Sequence, residues 1–391
     1  KAERNIAEKL IELRDYNNIN EIENLDRKLK KIEKEQKIEL SDKQKEAVKL
    51  VNDNNVCVIT GGPGTGKTTI IKSIIDMYKS EELKVTLCAP TGRAAKRMTE
   101  ATGEEAKTLH RVLEIGKFAS EDEINPDLLV TPIDANVVIV DEASMIDLFL
   151  MNYLMKALYN GTKLVLVGDE NQLPSVGPGN VLKDIIASEQ VPVVTLNKIF
   201  RQAAKSKIIL NSHKVNEGES FIGVKQDNEE ELLQDFFFIQ ENNKDNITKQ
   251  IVSLCTGRLE RYGNYDFIKN IQVITPTKKG SLGTKELNQV IQSNVNPFET
   301  TKKEKKFGDV IYRKGDRIMQ IKNNYDIFWE KDGNSNEAGS GVFNGEFGTI
   351  IDINEMDKEL VIKFDDDKKA WYSYADLDQI EHAYAITVHK A

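Results

Sequence analysis

Five short apolar runs, VCVIT, KVTLCAP, NVVIVDE, KLVLVGD and VPVVTL, punctuate the chain between Val56 and Leu196, and helix-like stretches follow most of them. In TTIIKSIIDMY, for example, Ile70, Ile71, Ile74, Ile75 and Tyr78 recur along one side of a helix. Strands apolar on both faces and separated by helices predict a parallel sheet covered on each side. Residues 1–40 carry Ile6, Leu10 and Leu13, then Ile22, Leu25, Leu29 and Ile32, at helical spacing among charges of both signs. That spacing predicts two helices packed on the main body, with a binding role as the alternative.

A second α/β region begins near DFFFI (235–239) and continues through the helical NITKQIVSLCTGRL to the strand IQVITPT. From Gly345 to Ile380 the pattern changes to short, partly alternating strands broken by Gly and charged turns. This predicts a small antiparallel barrel, inserted into the second α/β domain just ahead of AYAIT. TLCAPTGRAA (86–95) and QVITPTKKGS (272–281) each place Pro-Thr and then basic residues at a strand's carboxyl end. Pro90 and Thr91 mark the first loop, Thr275 and Pro276 the second. Either two like lobes present equivalent loops to one extended ligand, or the match is chance.

Composition narrows this little. At 391 residues the chain has room for two or three domains, each with its own core. Charged residues make up 30% and the net charge is −9, so the whole-chain balance does not advertise a polyanion partner, although local clusters decide that question. Cys57, Cys88 and Cys255 lie far apart and read as small core residues of a protein in a reducing, cytoplasmic compartment. No apolar run reaches the roughly 18 residues of a membrane span, so no membrane partner is expected.

The chemistry concentrates in three places. ITGGPGTGKTT fits the phosphate-loop pattern G-x-x-x-x-G-K-[ST] from Gly61 to Thr68, between an apolar strand and an amphipathic helix. Here the backbone of Gly62, Pro63, Gly64, Thr65 and Gly66 can turn N–H groups inward around phosphate oxygens, and Lys67 can reach the outer phosphates. Thr68 supplies a hydroxyl to Mg²⁺, with Thr69 beside it in the first helical turn. The strand NVVIV delivers Asp141 and Glu142 at its carboxyl end, where open α/β sheets gather ligands. Asp141 suits the metal and Glu142 the attacking water, unless Asp141 is a helix cap. In LVLVGDENQLPSVGPG, Asp169 and Gln172 follow a third strand, where an amide can sense the γ-phosphate before the loop leaves toward the next domain. Arg201, in LNKIFRQ, is either an arginine that neutralises transition-state charge at a nucleotide between two lobes, or an ordinary surface arginine. This constellation calls for a nucleoside triphosphate and Mg²⁺.

In order, LSDKQKEAV, GGPGTGKTT, APTGRAAKRM, TLHRVL, VVIVDEASMID, LVGDENQLPSVGPG, IFRQ, ITPTKKGSLGTKELNQVIQ, VFNGEFG and AYAITVHKA resemble the motif series of superfamily 1 DNA helicases of the RecD-like branch. The resemblance covers about residues 40–391 and implies two RecA-like lobes with parallel sheets, ATP between them, and an SH3-like barrel inserted in the second lobe. It implies a first lobe over 41–218, a second over 219–344 and 381–391, and the barrel over 345–380. A strand-separating pin falls within residues 111–131, where a plain acidic loop is the alternative. The family moves 5′ to 3′ along single-stranded DNA. Position by position, the resemblance implies that Gln44 reads adenine, that Lys67, Thr68, Asp141, Glu142, Gln172 and Arg201 serve phosphates and metal, and that Pro90, Thr91, Arg93, Thr108 and His110 line the DNA track. Asn344, Thr387, His389 and Lys390 match motifs linking the second lobe to DNA and ATP. The series stops before the family's last motif, and residues 1–40 match only the end of its amino-terminal region, so a piece of a longer protein is expected.

Two other functions compete with an ATP-driven DNA motor. A nucleotide-switched module that grips DNA or protein without processive hydrolysis would need no Glu142, and a small-molecule kinase leaves the Asp-Glu pair and the Gln172 loop unexplained. RNA in place of DNA is not distinguished by these residues. Lys302, Lys303, Lys305 and Lys306 read as a solvated face rather than a phosphate clamp, and Trp329 and Trp371 as packing rather than base-stacking residues. His213 and His382 have no partner that the sequence names.

Overall fold

The computed structural model describes residues 1–17, 20–115, 130–200, 203–221, 233–331 and 337–390. The chain forms two compact units, Lys1–Phe238 and Ile239–Ala391.

In the first unit, α1 (Ala2–Asp15), α2 (Leu25–Gln36) and α3 (Asp42–Asp53) lead to β1 (Val56–Gly61). There follow α4 (Lys67–Lys79), β2 (Val85–Ala89), α5 (Gly92–Thr102), β3 (Ala106–Thr108), α6 (Leu109–Val112), β4 (Val137–Val140) and α7 (Leu148–Ala157). The unit continues with β5 (Lys163–Gly168), α8 (Val181–Ala187), β6 (Val193–Leu196) and α9 (Lys207–Asn216). All six strands run parallel in the order β3-β2-β4-β5-β1-β6. The apolar runs therefore become strands, and their period of two sorts them onto two faces. Val56, Val58, Val138, Val140, Leu164 and Leu166 join one core with Ile6, Leu10 and Leu13 of α1 and with Leu150 and Leu154 of α7. Cys57, Ile59, Val137, Ile139, Val165 and Val167 join the other, with Leu29 and Ile32 of α2, Val48 and Val51 of α3, and Ile70, Ile71 and Ile74 of α4. The two helices of residues 1–40 thus belong to the body, one on each face.

Helix starts follow local capping chemistry. Ser41 and Gln44 form a reciprocal capping box at α3. The side chains of Thr91, Thr108, Asp147 and Ser206 accept N–H groups at the starts of α5, α6, α7 and α9. The carboxyl end of α3 is satisfied differently: buried Lys163 donates its Nζ to the carbonyls of Val51, Asn52 and Asn54 at 2.9–3.2 Å. Burial holds that ammonium down at about 8.

The second unit contains α10 (Lys244–Ser253), α11 (Leu259–Gly263), α12 (Phe267–Asn270), β7 (Val273–Thr275) and α13 (Thr284–Val295). A hairpin of β8 (Glu304–Phe307) and β9 (Val310–Arg313) precedes β10 (Arg317–Gln320), β11 (Asn324–Lys331), β12 (Ala338–Val342), β13 (Phe347–Asn354), β14 (Glu359–Phe364), β15 (Lys368–Ser373) and β16 (Ile380–His382). Those last seven strands make one antiparallel sheet, order β12-β11-β15-β14-β13-β10-β16. The β17 strand (Ala385–Thr387) then pairs parallel with β7, so the antiparallel sheet is an excursion between two neighbouring strands. Leu287 and Ile291 of α13 cover this pair with Tyr384 and Ala385.

Three expectations change. The antiparallel sheet extends beyond 345–380: it begins at Arg317, because β10 hydrogen-bonds β13 on one side and β16 on the other. DFFFI is not a strand; Phe237, Phe238 and Ile239 are about half exposed, since an apolar run without a neighbouring edge to pair with does not form one. The helical run NITKQIVSLCTGRL is broken at Gly257, whose φ of 121° no helix accommodates. Among the described residues no helix is long and apolar enough to cross a membrane, and Cys57, Cys88 and Cys255 are free and buried. The segment 116–129, where most of the pin or acidic loop falls, lies outside the described residues.

Candidate functional site

The loop after β1 is shaped by glycines at two positions. Gly64 and Gly66 stand at φ 76° and 81°, a region costly for any residue with a Cβ. Space forbids a Cβ as well: at Gly66 it would lie 2.5 Å from Gln44 Nε2 and 2.9 Å from the Phe200 ring, and at Gly64 2.7 Å from Ala203. Thr65 Oγ1 closes the turn by donating to the Gly62 carbonyl at 2.8 Å. Lys67, first residue of α4, donates its Nζ to the Gly61 carbonyl at 2.5 Å and to that of Gly62 at 3.1 Å. The ammonium is thus held over the mouth of the loop. Thr68 and Thr69 follow in the first turn, with Thr68 exposed.

Sheet topology brings the other groups alongside. The β5 strand lies between β1 and β4, so Asp141 and Glu142, after β4, and Asp169, after β5, emerge at the same carboxyl edge as the phosphate loop. Asp141 accepts the Glu142 N–H on Oδ1 at 2.9 Å, while its own N–H bonds the Cys88 carbonyl at 3.0 Å. Burial pushes its carboxyl up, opposed by that N–H and by the nearby Lys67 and Arg97 charges. Glu142 is raised too, first by burial and then by the neighbouring Asp141 carboxylate. Its backbone is left-handed, at φ 52° and ψ 40°. Asp141 is not the cap of the following turn; that position is Glu142, whose side chain makes no capping bond. Two residues on, the buried hydroxyl of Ser144 has no partner among the described residues.

Asp169 is buried, accepts the Asn171 N–H on Oδ1, and takes the Gln172 N–H on its carbonyl at 3.1 Å. Gln172 itself is exposed at this edge. The rest of the loop folds back on the acidic turn: the Leu148 N–H donates to the Pro178 carbonyl, and Gly177 packs so tightly that a Cβ would lie 2.1 Å from Asp147 Oδ2. Gln44 is buried, its Oε1 accepting the Ser41 N–H at 2.9 Å while its amide nitrogen faces Gly66. Arg201 lies outside the described residues. Its neighbour Phe200 donates its N–H to the Gly64 carbonyl at 3.2 Å.

At the far edge of the sheet Ala89 and Thr108 are register partners, so Pro90, Thr91 and Arg93 of one loop and Thr108 and His110 of the next lie together. The Thr91 and Thr108 hydroxyls each accept an N–H at 3.2 Å, from Ala94 and Arg111. In the second unit Thr387 pairs with Thr275 across β17 and β7. Thr275 Oγ1 donates to the Leu282 carbonyl at 2.6 Å, and Pro276 follows at the strand's end. Lys390 Nζ reaches Asn344 Oδ1 at 2.7 Å, and His389 is exposed.

Two partners escaped sequence reasoning. His213 Nε2 lies 3.1 Å from the Pro63 carbonyl. His382 Nε2 lies 2.9 Å from Asp316 Oδ2, on a fully buried carboxylate. No spacing rule signals either, because each pairs residues far apart in the chain. The lysine run meets acidic and aromatic neighbours: Lys302 pairs with Glu299, Lys303 with Asp352, and Lys305 sits 3.9 Å over the Tyr374 ring. Trp371 lies 5.8 Å from Phe328, and Trp329 packs on Gly339.

An all-parallel sheet with a phosphate loop after β1 and an acidic pair after β4 defines a P-loop nucleotide-binding protein. The AAA domain family model matches residues 39–235, just over half of the chain, and the model of the ATP-dependent RecD-like DNA helicase SH3 domain matches residues 287–364. The ATP-dependent RecD2 DNA helicase of Deinococcus radiodurans is 33% identical over 353 residues, which are 90% of this chain and 43% of that protein. The RecBCD enzyme subunit RecD of Buchnera aphidicola subsp. Schizaphis graminum is 27% identical over 465 residues, 100% of this chain and 72% of that protein. A crystal structure of Pif1 helicase from Candida albicans aligns with a TM-score of 0.47 at 18% identity, over 90% of this chain and 86% of that one. The chain belongs to the RecD-like branch of superfamily 1 helicases, with an AAA domain in its first unit. It spans less than half the length of the Deinococcus relative.

Proposed function

We propose that this chain is the motor core of an ATP-dependent DNA helicase that translocates 5′ to 3′ on single-stranded DNA. The observation that carries the reading is the convergence of Lys67, Asp141 and Glu142 at one carboxyl edge, with Lys67 close enough to oppose the rise in both carboxyls. In this reading Lys67 leaves the Gly61 and Gly62 carbonyls for the outer phosphates, and the loop's N–H groups hold the rest of the triphosphate. Glu142, raised by its surroundings, orients the attacking water and takes its proton as the water oxygen bonds the γ-phosphorus and the bond to the β,γ-bridging oxygen breaks, releasing ADP. Gln172 senses the γ-phosphate, Arg201 offsets charge in the transition state, and Gln44 reads adenine. The residues also fit Mg²⁺: Thr68 and Asp141 would hold it, and it would neutralise phosphate charge.

The DNA track in this reading comprises Pro90, Thr91, Arg93, Thr108 and His110 in the first unit and Thr275, Pro276, Asn344, Thr387 and His389 in the second. Helix starts at α5 and the loop basic residues support phosphate contact there. Turnover with and without single-stranded DNA tests the proposal, with Lys67→Ala as the control. Many-fold stimulation lost in Lys67→Ala is expected; equal hydrolysis with and without DNA overturns it. A nucleotide switch would show itself by indifference to Glu142→Gln, and partial duplexes with a 5′ or a 3′ tail read the polarity. Matched RNA strands decide the track.

A further inference from the structure

We infer that His213 is a positioning residue of the nucleotide site, fixing the orientation of the Pro63–Gly64 peptide in the phosphate loop. The inference rests on the ATPase reading above and goes beyond the loop's own residues.

The α9 helix and the turn before it lie directly on the loop. Ala203 and Ile209 press on Gly64, where a Cβ would meet them at 2.7 and 3.3 Å. One turn after Ile209, the imidazole of His213 covers Gly62, where a Cβ would lie 2.7 Å from Cε1. Its Nε2 is 3.1 Å from the Pro63 oxygen. A carbonyl can only accept, so Nε2 carries the proton and donates.

The consequence is geometric. In a planar trans peptide the C=O and N–H point in opposite directions. Holding the Pro63 oxygen toward α9 therefore aims the Gly64 N–H away from α9. Without that bond the peptide can rotate, because Gly64 tolerates either hand of φ, and a rotated carbonyl would repel a phosphate instead of an N–H attracting it.

The helix is itself held in place. Ser206 Oγ accepts the Ile209 N–H at 3.3 Å and donates to Asp235 Oδ2 at 2.6 Å, and the Lys207 N–H donates to Asp235 Oδ1 at 2.8 Å. Lys207 and Asn211 are buried on the same helix. His213 thus acts from a fixed support rather than from a mobile arm.

The test compares His213→Ala, His213→Phe and His213→Gln in the whole chain, with ADP binding measured by titration calorimetry and ATP turnover measured separately. Phenylalanine fills the space without donating; glutamine places an amide N–H near the position of Nε2. Loss of one hydrogen bond should weaken ADP binding and raise KM for ATP by about three- to tenfold in the Ala and Phe variants, with kcat within about twofold. His213→Gln should restore most of both. Melting in the absence of nucleotide identifies a variant that fails to fold, and the Gln to Phe comparison then decides. Wild-type affinity in His213→Ala, or a Gln variant no better than Phe, overturns the inference while leaving the ATPase reading in place. ADP binding without DNA-stimulated turnover in the wild type would sink the motor reading alone.

Discussion

The backbone N–H of Glu142 donates to Oδ1 of Asp141 at 2.9 Å, and Glu142 makes that bond from the left-handed region at φ 52°. A conformation that costs on the order of 1 kcal/mol or more thus places two carboxylates side by side at the edge of the sheet. Both are pushed up, chiefly by burial. The turn sacrifices local stability for the arrangement of the acids.

Glu142→Gln is therefore expected to stabilise the fold while removing turnover. The Glu142 carboxyl is raised in the folded state, so its ionised form is disfavoured there. Its contribution to stability is fully present below the unfolded value and is lost as pH rises through the folded one. At pH 8 the wild type has lost that contribution, whereas the neutral amide has nothing to lose. A gain of on the order of 1 kcal/mol corresponds to about 2 to 4 °C in melting temperature for a unit of this size. Melting at pH 8 and again near pH 4 checks it, since the gain should vanish in acid. Turnover should fall by about 10² to 10⁴.

The same shift sets the acid limb of turnover. A base must be ionised to accept a proton, so activity should decline at a pH above the ordinary carboxylate range of about 4. Because Asp141 and Glu142 interact, the limb belongs to the pair. Turnover measured from pH 4 to 8 at saturating ATP reads it; a limb no higher than that of an ordinary carboxylate would remove Glu142 from the role.

Gly66→Ala should abolish nucleotide binding with modest loss of stability. The new methyl must adopt φ 81° and displace the Gln44 amide, 2.5 Å away, and the Phe200 ring. Backbone strain of about 1 to 2 kcal/mol falls on the loop alone. The stabilisation that ATP gives the wild type in a melting experiment should disappear, while the nucleotide-free melting temperature drops by only a few degrees.

Much of this site can be read from the chain because its signals are local. GGPGTGKTT marks the loop by its own glycines and lysine, and the strand runs around Val137–Val140 and Leu164–Val167 show by their doubly apolar character that both faces are buried. Gln44 is different: its place beside Gly66 depends on α3 packing against the loop, which the capping box at Ser41 does not specify. His213 and Asp235 lie further still from sequence logic, since they meet their partners only after α9 has docked. The antiparallel sheet extends further toward the amino terminus than its pattern shows, because β10 is only four residues long and gains its neighbours, β13 and β16, from far along the chain. Short strands carry little periodicity, and pairing rather than pattern makes them.

The second unit hangs on Asp316. Its fully buried carboxylate accepts from the Arg313 N–H, Gln292 Nε2, Asn296 Nδ2, the Tyr384 hydroxyl and His382 Nε2, at 2.6–2.9 Å. These donors come from α13, β9, β16 and the start of the segment leading to β17, so one side chain joins the antiparallel sheet to the helix beside it. Asp316→Ala would leave those donors unpaired in the interior and should cost about 3 kcal/mol or more. Chemical denaturation should show the second unit unfolding first in the variant, with a single transition in the wild type counting against a separate cooperative unit.

The proposed DNA contacts at Thr91 and Thr108 can be separated from their structural role. Each hydroxyl caps a helix, accepting from Ala94 and Arg111, so an alanine variant would lose about 1 kcal/mol of helix stability and confuse the two effects. Aspartate does not have this defect, because it caps at least as well as threonine and its charge suits a helix N-terminus. Against a DNA phosphate the same charge is repulsive. Thr91→Asp and Thr108→Asp should therefore melt at or above the wild-type temperature yet bind single-stranded DNA about fivefold more weakly at low salt, with the difference shrinking as salt screens it. Nucleotide binding in the absence of DNA should not change, since neither residue belongs to the phosphate loop. If both variants hold DNA as tightly as the wild type in 50 mM salt, this edge of the sheet is not part of the track.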